Sequence, residues 1–170
     1  MKNRFGYFSA RYLAAVLLGL FLLLLRAMTQ NPVSAVFAPQ CASPWELSKL
    51  AFWPLLAATA LTGRMDGGVG KAVRRELPWL VLTPAVLVLV LWALSALEPG
   101  PGLLILTWMV ALARSVALSQ MDTSVGKGSV WPVLAVALGA LYIVLTFLPP
   151  LAGPFLDPAD VAAMATIPVC

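Results

Sequence analysis

Histidine is absent from this chain of 170 residues. That absence removes His-ligated haem, His-containing zinc sites and every Ser-His or Cys-His catalytic pair. Cysteine is nearly absent. Cys41 and Cys170 are too few for a thiolate metal cluster supplied by one chain. Charge is scarce as well: Asp, Glu, Lys and Arg make up 11% of the residues, where a soluble domain carries roughly a quarter. So few charges cannot cover the surface of a soluble domain of this length. The expectation is a membrane protein with no cofactor, no metal and no enzymatic constellation.

What fills the chain instead is apolar: 61% of it is hydrophobic. Five stretches stand out, at 12–28, 44–62, 78–97, 103–120 and 131–148. At about 1.5 Å per residue each reaches about 25–30 Å, the thickness of a bilayer core. The first follows Lys2, Arg4 and Arg11, as in a secretory leader, but Arg26 interrupts the route to a cleavage site, so a retained helix is expected. Ser43-Pro44-Trp45-Glu46 reads as an N-cap serine, a proline at the first helical position and a capping-box glutamate. Trp45 is then expected at headgroup depth. Pro54 and Pro84 fall inside apolar stretches, where each should free a backbone carbonyl that a neighbouring helix must satisfy.

The basic residues are unevenly placed. Lys2, Arg4 and Arg11, then Arg64, Lys71, Arg74 and Arg75, then Lys127, alternate onto one side of a five-span chain, while Arg26 and Lys49 fall on the other. The positive-inside rule puts that richer side, with the N-terminus at 1–11, in the cytoplasm and the C-terminus outside. In this reading the net charge of +4 reports orientation rather than nucleic-acid binding. The loops 63–77 and 121–130 are cytoplasmic, and the proline-rich tail 149–170 lies on the external face against membrane or partner.

The most specific pattern is a repeat. Met65-Asp66-Gly67-Gly68-Val69-Gly70-Lys71 recurs as Met121-Asp122-Thr123-Ser124-Val125-Gly126-Lys127, followed by Trp79 and Trp131 respectively. Each copy joins a descending to an ascending stretch. The expected fold is therefore an all-α polytopic bundle of five transmembrane helices, two parallel-repeat hairpins plus a leading helix. Turn chemistry explains the residue types: a short acid at the helix end, a glycine for left-handed backbone and a lysine at anionic headgroups. The alternative is that Asp66, Lys71, Asp122 and Lys127 line a cytoplasmic mouth or dock a partner. A phosphate-binding P-loop is excluded, because residue 65 is Met and residue 72 is Ala. The second copy, with Asp122, Gly126, Lys127, Gly128 and Trp131, resembles the loop signature of one family of small bacterial inner-membrane proteins. That resemblance implies a bacterial inner membrane and no activity.

Arg114 is the charge that falls well inside a stretch. It either snorkels to the interface or meets a lipid headgroup, an anionic pigment or quinone substituent, or a carboxylate of another subunit. The seven acids are all expected at helix ends or in loops, which weakens a proton- or sodium-coupled carrier. Ala135 and Gly139 form a small-xxx-small pair for close helix approach, either within the chain or between copies. Cys41 and Cys170 share the oxidising outer side in this topology and are a candidate disulfide. These features favour a non-catalytic accessory or scaffold subunit of a larger membrane complex, in contact with lipid and other integral subunits. A small oligomeric carrier or channel is the alternative.

The topology is directly testable. Fusions after residue 170 should give active alkaline phosphatase and no fluorescence from a cytoplasm-dependent fluorescent protein. A fluorescent, phosphatase-negative fusion would contradict five spans.

Overall fold

The computed structural model describes residues 4–29, 31–66, 68–97, 100–121, 130–148 and 153–155. They form an all-helical bundle, with no strand among the described residues. The helices are α1 Arg4–Met28, α2 Pro32–Phe37, α3 Pro44–Thr62, α4 Val69–Ser95, α5 Pro101–Ser119 and α6 Val130–Phe147. One-turn 3-10 segments lie at Gly63–Asp66 and Gly153–Phe155. Among the described residues, α1, α4, α5 and α6 are each long and apolar enough to cross a membrane.

The fifth long helix, α3, is the central one. It packs along α4 and α1, touches α5, and buries Leu50, Ala51, Phe52, Leu55 and Ala58 in the core. Glu46, Ser48, Lys49, Thr59 and Thr62 give it a more polar sequence than its neighbours, and all five are buried. A helix walled by other helices faces protein rather than hydrocarbon, so polarity is tolerated where partners exist inside the bundle.

Helix starts follow local chemistry. Ser43 caps α3 by accepting the Glu46 N–H at 3.2 Å, with Pro44 at the first position, as the sequence anticipates. The other half of the capping box differs. Glu46 Oε2 accepts the Gln40 N–H at 2.9 Å and is also bound by Lys49. Asn31 caps α2 by accepting the Ser34 N–H at 2.7 Å. α4 begins at Val69, well before the apolar stretch at 78, so most of the expected loop 63–77 is helix. Val69–Leu77 has helix-forming residues, and the chain turns instead at Gly68, whose φ of 119° suits only glycine. Gly70, the repeat's shared glycine, is an ordinary helical residue, and the second copy has Ser124 where the first has Gly68.

The flanking helices of the repeat also pack differently. α3 and α4 lie along each other, whereas α5 leans on α4, α1 and α3, and α6 leans on α4 and α2. α5 and α6 do not pack along one another. Gly139 faces inward, where a Cβ would stand 3.6 Å from the Phe52 ring, so the Ala135/Gly139 pair serves contact within the chain.

Pro54 gives the core its cross-link. It has no N–H, so the Leu50 carbonyl one turn earlier loses its helical donor. The indole Nε1–H of Trp108 on α5 donates to that carbonyl at 2.9 Å. On the other side of the same indole lies Gly19 of α1, where a Cβ would come within 2.3 Å of Trp108 Cζ2. One ring thus joins three helices through a missing donor and a missing side chain.

This gives a double-mutant test. Trp108→Phe should lower stability by about 1–2 kcal/mol through the unpaired carbonyl, beyond any packing change. In a Pro54→Ala background the restored backbone N–H satisfies Leu50, and the same substitution should cost clearly less. Reversible unfolding in mixed detergent micelles measures both; equal costs in the two backgrounds would contradict this role for Trp108.

Candidate functional site

Two clusters of charged and polar side chains lie inside the bundle, one near each end. The first joins four helices. Arg11 of α1 and Glu76 of α4 form an ion pair of 2.7 Å, both 1% exposed. Arg11 also donates from Nε to Thr62 Oγ1 of α3 at 3.4 Å and from Nη1 to Ser119 Oγ of α5 at 3.2 Å. Ser115 of α5 donates to the second Glu76 oxygen at 3.2 Å. The Arg11 guanidinium lies 4.5 Å from the centre of the Tyr7 ring, within cation–π range. Arg75, next to Glu76, donates to the Ser119 carbonyl at 3.1 Å.

Helix register explains the convergence. On α4 the buried positions Ala72, Glu76, Leu80 and Pro84 recur every fourth residue, with Leu87 and Leu91 continuing the stripe. Glu76 therefore points where the leucines point. On α5 the buried set Leu112, Ser115, Val116 and Ser119 carries both serines inward. Counted along their helices, Arg11 and Glu76 lie about 25–29 Å from the far ends of α1 and α4, close to one bilayer core away.

The second cluster gathers α2, α3, α6 and the segment 38–43. Lys49 Nζ lies 2.6 Å from Glu46 Oε1 and donates to Thr146 Oγ1 at 2.6 Å and to the Ala35 carbonyl at 3.2 Å. Ser48 Oγ and the Tyr142 hydroxyl share a hydrogen bond of 2.6 Å. The Trp45 ring packs against Tyr142 and Phe155. Arg26, at the end of α1, donates to the Gln40 carbonyl and so ties α1 to this group.

The first pair corrects the expectation about charge placement: Glu76 lies in the body of α4, not in a loop, with Arg11 buried beside it. Glu46 sits in the first turn of α3, at a helix end as expected, with Lys49 buried beside it. The residues singled out from sequence do not form one site. Arg114 is exposed on the outer side of α5, and Lys71 is exposed in the first turn of α4. Asp66 ends the 3-10 turn Gly63–Asp66. Asp122, Lys127 and Cys170 lie outside the described residues. Cys41 is half-buried, its thiol 3.4 Å from Ser43 Oγ. The sequence signals for the clusters are the fourfold spacing that holds Glu76 and the helical i, i+3 spacing of Glu46 and Lys49.

Chemically, each cluster is built on one buried cation–anion pair with neutral hydroxyls around it, and a further arginine bonds a backbone carbonyl at its edge. Such groups can fix helix register or exchange a proton or anionic partner if opened. Comparison with family models, with curated proteins and with solved structures gives no match.

The first pair predicts a non-additive response. Arg11→Met or Glu76→Leu alone strands a buried charge and should cost about 3–5 kcal/mol, while the two together should recover most of the loss. Thermal unfolding of the three variants in one detergent decides this; simple additivity would contradict a coupled pair.

Proposed function

We propose that this chain is a non-catalytic accessory or scaffold subunit of a larger integral membrane complex in a bacterial inner membrane. In this reading all five long helices cross the bilayer, α3 shielded by the other four, with the N-terminus cytoplasmic and the C-terminus external. The repeated Met-Asp-x-x-Val-Gly-Lys segments mark two cytoplasmic connections. The helices on either side of them pack unequally, which does not support a repeat of whole hairpins.

The observation that carries the reading is the outward surface of α6. A smaller share of it is buried within the chain than of α1, α4 or α5. Its buried positions are Ala135 and Tyr142, and Val133, Val136, Leu141, Val144 and Phe147 are exposed apolar side chains. Lipid can cover such a face, and so can a helix of another subunit, since packing in a bilayer needs close fit rather than exclusion of water. The internal charges are already matched within the chain, which suits a subunit that contributes shape and apolar surface.

A second reading, a small oligomeric carrier or channel, is favoured by one observation: Arg11 and Glu76 are an ionisable pair enclosed among four helices. In membrane bundles such pairs also serve as relays.

The two readings separate on one experiment. A photo-crosslinking residue at Val136, exposed on α6, is installed in the native membrane, followed by purification in mild detergent. An accessory subunit should give one crosslinked product with a different polypeptide, co-eluting at fixed stoichiometry. Crosslinks only between copies, with ion or solute flux in reconstituted vesicles that Glu76→Gln abolishes, would support the carrier and contradict the scaffold.

A further inference from the structure

Above the contact of Gly19 with Trp108, α1 and α5 stand apart. The gap between them is a crevice of about 230 Å³. Its floor is Leu50, Leu87, Leu91 and Trp108, all buried, and its rim includes Leu20 and Ile105, which are 49% and 54% exposed. Floor and rim together make a cleft that opens sideways on the face the bundle presents to hydrocarbon. Its lining is wholly apolar, and the Trp108 N–H at its floor is already bound to the Leu50 carbonyl. Nothing here holds water, which needs polar partners in such a space.

The volume matches a piece of an acyl chain. At roughly 30 Å³ per water-sized group, it admits about seven or eight methylenes. The cation at this end of α1 is Arg26, three residues after Leu23 of the crevice wall and therefore on the same side of the helix. It is half-buried and gives one nitrogen to the Gln40 carbonyl. A guanidinium carries five N–H donors in a planar fork, so the remaining ones can take phosphate oxygens. The nearby carboxylate, Glu46, is bound to Lys49 and the Gln40 N–H and does not compete for Arg26.

We infer that this crevice is a specific site for one glycerophospholipid, with an acyl chain between α1 and α5 and the phosphate at Arg26. The chain fills the gap beside the core leucines, and the phosphate holds it in one register. The site is independent of whether α6 meets another subunit.

Native mass spectrometry of the full chain tests this. The protein is released from vesicles of equal phosphatidylcholine and phosphatidylglycerol and washed in detergent. Wild type should retain one phospholipid per chain. Ile105→Trp places an indole at the mouth of the crevice from an already exposed position, and retention should fall at least about tenfold, each excluded methylene being worth severalfold. Arg26→Gln should also fall clearly below wild type, and Val133→Trp, exposed on α6, should match wild type. Overturning results are a wild type with no phospholipid, an adduct that is only fatty acid or detergent, or either crevice variant retaining as much as wild type.

Discussion

A charge removed from water needs its counter-charge within reach, and in this chain the Arg11–Glu76 pair meets that requirement at the junction of four helices. The cost of burying two ions is large, and it is offset only when geometry is close and the remaining donors and acceptors are taken. Thr62, Ser115 and Ser119 take up part of that capacity, and the Tyr7 ring lies over the guanidinium. Each comes from a helix whose register is then no longer free to slide. Leucine-rich helices in lipid have little else to specify register, because apolar faces pack nearly as well on lipid as on each other. The pair thus gives the bundle its alignment at one end, and at the other Lys49 links α3 to α6 and α2 through Thr146 and the Ala35 carbonyl.

Between the two ends the same logic works with backbone groups. Pro54 frees a carbonyl, Trp108 satisfies it, and Gly19 leaves room for the indole. At Pro54 a departure from a simple apolar helix is answered by a partner on a different helix. α3 concentrates these departures, and it is also the helix most enclosed by the others. Polarity and enclosure are therefore two aspects of one constraint: a helix can afford polar residues only where neighbours replace water.

Much of this was open to reading from residue order. The all-helical class, the Ser43-Pro44 start of α3 and the freed carbonyl at Pro54 follow from local rules with short range. The Glu76 site was legible too, through its place on the fourfold stripe with Ala72 and Leu80, but the apolar stretch begins only at 78, which left Glu76 in the expected loop 63–77. Gly68 rather than Gly70 makes the turn, because backbone conformation depends on the junction and not on which letters recur. Which helix sits at the centre was not legible. Apolar residues surround most of these helices, so periodicity points to no single face. Arg114 drew attention as a lone charge, yet it lies on the outside, where a long side chain can reach the interface without a partner.

The most direct measurement is the contact between the two buried ions in a lipid bilayer. Solid-state NMR with ¹⁵N in arginine side chains and ¹³C at the glutamate carboxyls reports their dipolar coupling, and Glu76→Gln assigns the signal. A measurable coupling, consistent with a 2.7 Å nitrogen–oxygen contact and lost in the variant, is the predicted result. A wild-type spectrum with no coupling that depends on Glu76 would show that Arg11 and Glu76 do not meet, and the bundle as described would be wrong.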